Sequence, residues 1–488
     1  MPPVIQDIDY AAIAPPAMLA LAALGVLFTD AFLPGRRAVV GYASLAGVLV
    51  TLAATVLLAA GPPRRTFCLP AGGGCSYVVD RFTALVQLVM LMAAVVVVLV
   101  ALTEVRDTRL PAGEFHFLLL AALSGALALA AARDLITLVV CLEVVSLPVF
   151  ALAALRRYDG RSSEAGLKMF LVSVVSTAVM LFGISLVYGT TGTMYLERIA
   201  AALARPADQI AGPVAAVGVV LVLVGFGFKI AAVPFHFWAP DTYRGSPIAV
   251  AAFLSVVSKM AGFAGLVLVL VVGFAPYAHV WGPLLAVLAA ASMTAGNLVA
   301  LRQRSAVRLL AWSSIAQAGY ILAPLGAAAG LHGEAPRALV AATTGYLAIY
   351  AVMNIGAFAV VGFVGRDADL DGYRGLARTH PLISVALAFF LACLAGLPPG
   401  LAGLFAKIVV FRATVSAGYG WLAVLMAVNT VIGLYYYLAW ASRLFTPSPA
   451  EVSAAPVPRP VAVAIGVAAA GAVLLSVVPQ LVLGIAPV

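Results

Sequence analysis

Charge is scarce in this chain, and lysine is the scarcest charged residue of all. Only 10% of the 488 residues are charged, whereas 64% are hydrophobic, and the mean hydropathy is +1.11. Soluble domains carry about 25% charged residues, so this composition excludes a soluble globular protein. It indicates a polytopic membrane protein with the lipid bilayer as its surroundings, and we expect no nucleic-acid partner despite the net charge of +9.

Cysteine and histidine are too few and too scattered to build a redox or metal centre. Cys141 and Cys393 lie in separate apolar runs, Cys68 and Cys75 share one loop, and no CxxC pattern occurs. No two histidines have a spacing typical of haem or metal ligands; the five are His116, His236, His279, His332 and His380. A glycine-rich nucleotide-binding motif is also absent. We therefore predict that this chain carries no cofactor.

Long apolar runs, by contrast, are abundant and predict an all-α membrane protein with about fourteen transmembrane helices. Each predicted span is a run of at least 18 mostly apolar residues. The spans are 11–34, 38–60, 80–102, 115–132, 135–155, 166–188, 211–235, 247–273, 280–301, 307–328, 338–364, 382–411, 417–442 and 460–484. The N-terminus lacks a basic region and runs into a full-length span, so we expect no cleavable signal peptide.

Arginine is distributed unevenly between the two sides of the predicted membrane. Sixteen of the 24 arginines lie in or beside alternate loops, which the positive-inside rule assigns to the cytoplasm. They are Arg36, Arg37, Arg106, Arg109, Arg156, Arg157, Arg161, Arg244, Arg302, Arg304, Arg308, Arg366, Arg374, Arg378, Arg443 and Arg459. Both termini are then external. The loop containing Cys68 and Cys75 is external too, where a disulfide can form.

All four lysines lie within or at the edge of apolar helices, although every other basic residue is an arginine. Lys229 and Lys259 flank the segment that contains Pro234 and His236. Pro234 removes a backbone donor, so we expect a broken seventh helix with a free carbonyl at Ile230. Ser246 and Pro247 are expected to cap and begin the eighth helix. A lysine can release a proton and an arginine cannot, which suggests that the lysines carry protons; the alternative is that they only pack and snorkel.

Glu143 lies about nine residues inside the predicted fifth helix. A buried carboxylate needs a partner or a proton. Lys229 or Lys168 is the expected counter-ion, and the alternative is a neutral acid bonded to a backbone carbonyl. Lys168 lies near a helix start, where snorkelling is a credible explanation of its position.

The predicted twelfth helix repeats the pattern of the seventh. Pro398 and Pro399 precede the lone Lys407 and should free the carbonyls of Leu394 and Ala395, unless they only kink the helix. Two interrupted segments at corresponding places indicate inverted repeats with sites near the membrane midplane. The expected units are an N-terminal part (1–110), a first repeat of helices 4–8 (111–275), a second repeat of helices 9–13 (276–445) and a C-terminal helix (446–488).

Six segments, in order and at matching spans, resemble the N-subunit family of respiratory complex I. They are DLITLVVCLEVVSLPVFALAAL, VPFHFWAPDTYRGSPIAVAAFLSVVSKMAGFA, SAVRLLAWSSIAQAGY, YAVMNIGAFAV, DLDGYRGL and LAGLPPGLAGLFAKIVVF. The resemblance implies an antiporter-like proton channel in the membrane arm of an NADH:quinone oxidoreductase, located in the bacterial plasma membrane. It also implies partners among the other membrane-arm and peripheral-arm subunits, which would hold the flavin, the iron-sulfur clusters and the quinone.

The resemblance also assigns residues to a proton relay. It matches the family's acid in the fifth helix with Glu143 and its lysines in helices 6, 7, 8 and 12 with the four lysines of this chain, Lys168, Lys229, Lys259 and Lys407. One departure is Gln317, which stands where many relatives carry histidine. Glutamine cannot titrate, so a step from Lys259 towards Lys407 requires water or another polar group such as Tyr320.

The mechanism that these residues imply is electrostatic. Burial disfavours the charged form of a lysine and a nearby carboxylate favours it, so a change in the distance between Glu143 and Lys229 would switch that lysine between holding and releasing a proton. Two other functions remain: a subunit of a multi-subunit sodium/proton antiporter, and a non-transporting scaffold. Antiporter subunits typically carry a charged helix where this chain has Asn354, and ionisable residues at membrane depth argue against a scaffold.

Overall fold

The protein is an all-α membrane protein, as predicted. The computed structural model describes residues 8–69, 74–108, 110–205, 210–328, 335–447 and 456–483. Within these ranges, thirteen helical segments are long and apolar enough to cross a membrane. The remaining predicted span, 382–411, is divided by a break into two shorter helices. Arg109 and His332 lie outside the described residues.

The helices are labelled in chain order: α1 (Tyr10–Phe32), α2 (Arg37–Ala59), α3 (Arg81–Asp107), α4 (Ala112–Ala131), α5 (Leu135–Ala153), α6 (Gly160–Thr191), α7 (Leu196–Leu203), α8 (Ala211–Lys229), α9 (Trp238–Gly245), α10 (Ile248–Phe253), α11 (Lys259–Leu268), α12 (Ala278–Ala300), α13 (Ala306–Gly326), α14 (Ala335–Val364), α15 (Leu376–Thr379), α16 (Pro381–Ala395), α17 (Leu401–Ser416), α18 (Gly420–Phe445), α19 (Arg459–Val477) and α20 (Gln480–Leu483). Helices α10 and α11 belong to one continuous span, Ile248–Gly273. Within this span, the π-helical turn Leu254–Ser258 ends immediately before Lys259.

The connection between α2 and α3 contains a β-hairpin. Strands β1 (Arg64–Cys68) and β2 (Cys75–Val79) pair antiparallel, and the expected disulfide joins Cys68 to Cys75. The tip of this hairpin, residues 70–73, lies outside the described residues. Arg133 ties the hairpin to the start of α5, because its amide donates to the Ser76 carbonyl at 2.8 Å.

The start of the Lys259 helix is capped by a residue that the sequence did not single out. Ser246 is not the N-cap: its hydroxyl donates back to the Thr242 carbonyl at 2.6 Å, and the first helical residue is Ile248 rather than Pro247. The carboxylate of Glu104 on α3 instead accepts from the amides of Ile248 and Ala249, at 2.8 and 2.9 Å. An ionised carboxylate suits this position because helix N-termini carry free amides and partial positive charge.

The chain after α3 contains the same order of spans twice. The first set is α4, α5, α6, the broken pair α8 and α9, and Ile248–Gly273; the second is α12, α13, α14, the broken pair α16 and α17, and α18. Five crossings return the chain on the opposite side, so the second set starts from the other face of the membrane. Ile248–Gly273 and α13 are the most enclosed spans, with 89% and 94% of their apolar segments buried. Lys259 lies in the first of these two spans.

Candidate functional site

The first break lies directly after Lys229. Helix α8 ends at this residue, Ala231 adopts a positive φ of 56°, and the chain resumes as a helix at Trp238. Two side chains satisfy backbone groups in the break: Trp238 Nε1 donates to the Phe228 carbonyl at 3.1 Å, and the Val233 amide donates to Ser292 Oγ at 2.9 Å. The helix therefore opens beside the lysine, as Pro234 predicts, and the opening is held by side-chain contacts.

Lys229 is buried and contacts a serine, not a carboxylate. Its Nζ donates to Ser146 Oγ at 2.9 Å, and Ser146 in turn donates to the Leu142 carbonyl at 2.7 Å. Ser146 lies three residues after Glu143 on α5, so both side chains lie on one side of that helix. The spacing places Ser146 beside Glu143, but only the folded arrangement of α5 and α8 brings it to Lys229.

Glu143 is half-buried, and its Oε1 accepts a hydrogen bond from Thr177 of α6 at 2.8 Å. The carboxylate is close enough to Lys229 to interact electrostatically with it. The two groups form no ion pair within 4 Å in the described part of the chain. The expected partnership with Lys229 is thus a longer-range interaction, and each of the two groups instead bonds to a hydroxyl, Glu143 to that of Thr177 and Lys229 to that of Ser146.

Lys168 does not pair with Glu143 but with two other carboxylates, so the prediction that it is a possible counter-ion of Glu143 is wrong. It lies near the start of α6 with its side chain 45% exposed, and it pairs with Glu164 at 2.6 Å and with Asp241 at 2.9 Å. Arg308 of α13 binds the other oxygen of Asp241 at 2.9 Å. Burial raises the pKa of Asp241, but Lys168 and Arg308 together hold it below its ordinary value. This cluster joins the two halves at the membrane boundary.

Lys259 is 2% exposed and also contacts a serine. Its Nζ donates to Ser314 of α13 at two atoms, the hydroxyl at 2.5 Å and the carbonyl at 2.7 Å. The Ser314 hydroxyl accepts a further hydrogen bond from Tyr350 at 3.0 Å. Among the described residues no carboxylate lies within 4 Å of this ammonium. The π-helical turn before Lys259 is a feature often found at functional sites.

Gln317 lies between Lys259 and the second break, and its hydrogen bonds to the described residues are all to neutral groups. Its Nε2 donates to the Leu394 carbonyl and to the Tyr437 hydroxyl, both at 3.2 Å. Its Oε1 accepts from the Tyr346 hydroxyl at 2.5 Å. Tyr437 also shares a short hydrogen bond with Ser313, the neighbour of the serine that holds Lys259. Tyr320, which we considered as a substitute at this step, bonds to Thr430 at 3.0 Å instead.

The second break lies before Lys407. Helix α16 ends at Ala395, and residues around Pro398 and Pro399 lead to α17, which carries the lysine. Lys407 Nζ donates to the Ala395 carbonyl at 2.6 Å and lies 5.4 Å from the centre of the Tyr320 ring. The two carbonyls that the prolines were predicted to free, those of Leu394 and Ala395, are therefore bonded by Gln317 and Lys407.

His236 lies in the first break and contacts aromatic rings. Its ring centroid is 5.3 Å from that of Trp312 on α13, and its Nδ1 is buried without a hydrogen-bond partner among the described residues. In the same part of the chain, no group of three or more histidine, cysteine or acidic side chains is assembled for a metal ion. That the chain carries no cofactor stays a prediction.

Comparisons with known proteins agree on one family. The family described as NADH:quinone oxidoreductase/Mrp antiporter, transmembrane, matches residues 132–433. The chain is 56% identical over 454 residues to NADH-quinone oxidoreductase subunit N 2 of Streptomyces griseus, covering 91% of this chain and 84% of the relative.

Solved structures show the same architecture. A chain of respiratory complex I from Thermus thermophilus with bound aureothin superimposes with a TM-score of 0.77 at 33% identity, covering 96% of this chain and 98% of that one. A chain of the Mrp complex from Dietzia sp. superimposes with a TM-score of 0.82 at 21% identity, covering 98% and 96%, which is a likeness of fold alone. The repeated broken helices and the extended identity together establish that this chain belongs to the N-subunit family of NADH-quinone oxidoreductases, the antiporter-like membrane-arm subunits of complex I.

Proposed function

We propose that this subunit translocates protons through a relay that includes Glu143, Lys229, Lys259 and Lys407, driven by quinone reduction in other subunits. The observation that carries the proposal is the environment of Lys259, an enclosed ammonium held by the hydroxyl and carbonyl of Ser314 without an ion-pair partner in the described chain. A buried lysine without a counter-ion can exist in both protonation states at accessible pH, because burial disfavours its charged form. A structural cation would instead be paired.

The serines have a direct part in this proposal. A hydroxyl can accept a hydrogen bond from an ammonium and can donate one to a neutral amine. Ser146 and Ser314 can therefore bind Lys229 and Lys259 in either protonation state. Both buried lysines of the first half are therefore held by hydroxyl groups.

Replacing Ser314 tests the proposal at the site that supports it. In the assembled complex, Ser314→Ala should keep the carbonyl contact of Lys259 but remove the hydroxyl, and proton pumping per electron should fall. Ser442→Ala is a matched control, because among the described residues the Ser442 hydroxyl bonds only to the Ala439 carbonyl, near the exposed end of α18. Normal pumping by Ser314→Ala would contradict the role of the hydroxyl.

An antiporter subunit remains the alternative activity. Asn354 favours the complex I function: it stands where antiporter subunits carry charge, and here its Nδ2 donates to Ser255 Oγ at 2.9 Å. Purification through a tag on this chain discriminates the two functions. Flavin-containing and iron-sulfur subunits should accompany it, whereas purification with antiporter subunits alone would support the alternative.

The orientation is also part of the proposal. The arginine asymmetry supports external N- and C-termini in a bacterial plasma membrane. Reporters fused after Arg157 and Arg374 should be cytoplasmic, and one fused after Ala71, which lies outside the described residues, should be external. A cytoplasmic signal from the Ala71 fusion would reverse the orientation.

The division of the chain follows the repeated span order. We propose two functional units, 111–275 and 276–445, flanked by residues 1–110 and 446–488. The bond from Glu104 of α3 to the start of the Lys259 helix means that the N-terminal part also positions the first unit. Deletion of 1–110 should therefore impair the first unit rather than leave it intact.

A further inference from the structure

An apolar crevice lies beside the N-terminal helices α2 and α3. It has a volume of about 830 Å³ and is lined by α2, α3, α14, α19 and α20. Typical lining residues are Leu49, Met92, Val352 and Leu474. Arg81 is the only charged residue that lines it in the described part of the chain.

The crevice begins at a helix end and stops near the middle of the membrane. Its wall on α3 runs from Arg81 to Val96, which is about 22 Å along the helix axis. One half of the hydrocarbon core is about 15 Å deep. The crevice therefore spans the interface and one leaflet. A transmembrane helix of a partner subunit would need a groove through both leaflets.

Arg81 supplies an available positive charge at the interfacial end. Its guanidinium has no hydrogen-bond or ion-pair partner among the described residues, and the residue is exposed. The adjacent carboxylate of Asp80 is already bound, at 2.6 Å by Arg133 and at 2.8 Å by the Thr83 amide. The charge of Arg81 is thus not neutralised by its neighbour.

The walls of the crevice open sideways towards the bilayer. Met92, Leu474 and Leu481 keep 46%, 51% and 51% of their surface exposed. Apolar surface of this kind at membrane depth is covered by hydrocarbon, because water gains no hydrogen bonds there.

We propose that this crevice binds one phospholipid with an anionic headgroup, its acyl chains along α3 and α19 and its phosphate at Arg81. The charge selects an anionic headgroup, and the one-leaflet depth selects a lipid rather than a spanning protein segment. The lipid would fill the space between the N-terminal helices and α19.

Photoactivatable lipids test this assignment in the intact complex. The purified complex is reconstituted in nanodiscs with phosphatidylglycerol or phosphatidylcholine that carry the same diazirine-labelled acyl chain, and labelled peptides are identified by mass spectrometry. Phosphatidylglycerol should label peptides of α3 and α19 preferentially. Arg81→Gln should lower that labelling about fivefold, since one basic residue contributes about that factor to binding of an anionic surface. Labelling by phosphatidylcholine should not change.

Two further variants separate charge from shape. Arg65→Gln removes an exposed arginine on the nearby hairpin that does not line the crevice, so labelling should stay at the wild-type level. Gly471→Leu places a side chain where even a Cβ would lie 3.2 Å from Val352, so labelling by both lipids should fall. Crevice peptides that neither lipid labels would show that a partner subunit covers the crevice, and labelling that ignores Arg81 would show that no anionic headgroup is selected. Either result would overturn the proposal.

Discussion

The two broken helices hold their lysines in different ways. Lys229 is the last residue before its break and donates to a serine hydroxyl on the neighbouring helix at 2.9 Å. Lys407 follows its break and donates across it to the Ala395 carbonyl at 2.6 Å. A carboxylate, that of Glu143, acts electrostatically on the first lysine. Within the described chain, no carboxylate forms an ion pair with the second.

We propose that this difference makes the Lys229 site switchable and the Lys407 site a receiver of charge. A hydroxyl can adapt to either protonation state of a lysine, whereas a carbonyl can only accept. The carbonyl at Lys407 therefore cannot donate to a neutral amine, whereas the hydroxyl at Lys229 can. We infer that Glu143 controls the first half and that the second half responds to the charge arriving from Lys259.

The largest expected effect comes from removing either member of the Glu143–Lys229 pair. Glu143→Gln and Lys229→Ala should each lower proton pumping in vesicles roughly tenfold or more, because each removes a proton-carrying or charge-setting group. The two variants should resemble each other. Glu197→Gln is the control, since Glu197 lies in the short helix α7. Strong loss in only one of the two would show that they do not act as a pair.

A smaller loss is expected at Lys407. Lys407→Arg keeps a donor for the Ala395 carbonyl and a positive charge beside Tyr320, so assembly should be normal. Pumping should fall, but less than for the corresponding arginine variant of Lys229, because Lys407 receives charge rather than initiating the change. Measured proton-to-electron ratios compare the two variants directly. A greater loss at Lys407 would reverse the order of the two halves.

Variants of Gln317 test whether this residue only bonds neighbouring polar groups or must itself carry a proton. Gln317→Leu leaves the Tyr346 hydroxyl and the Leu394 carbonyl without this partner and should destabilise the subunit by about 1–3 kcal/mol. Gln317→His can keep part of this bonding and can titrate, so it should retain pumping. Thermal unfolding and pumping are measured on the same preparations. If the histidine variant has normal stability but no longer pumps protons, the idea that Gln317 only bonds its neighbours is contradicted.

The smallest effect is expected at Lys168, which is exposed and lies away from the three buried lysines. Lys168→Arg should change stability by at most about 0.5 kcal/mol and leave most pumping intact, because the side chain is exposed and arginine can also bind Asp241.

The lowered pKa of Asp241 means that its ion pairs stabilise the protein above its ordinary pKa, and that this contribution is lost as the pH falls through the lowered value. Asp241→Asn should therefore lower the unfolding midpoint at neutral pH and less so in acid. An equal decrease at both pH values would contradict the ion-pair explanation.

The sequence predicted the spans, both helix breaks and the enclosed positions of three lysines, since apolar length and proline chemistry are local properties. It also predicted which carbonyls the second break frees. It did not identify Ser146, Ser314 or Glu104, because a serine in an apolar helix is usually bonded to its own backbone and only the packing of helices brings these groups to a lysine or a helix start. The pairing of Lys168 with Asp241 depends on the same long-range packing.

The most direct test asks whether Lys229 and Lys259 act by releasing a proton or only by carrying charge. Lys229→Arg and Lys259→Arg keep the positive charge, but arginine cannot deprotonate at accessible pH. The measurement is the number of protons translocated per electron in proteoliposomes containing the assembled complex, beside the alanine variants. We expect both arginine variants to assemble, to lose most pumping and to approach the alanine variants. Full pumping in assembled Lys229→Arg and Lys259→Arg complexes would contradict the relay and leave these lysines a structural role.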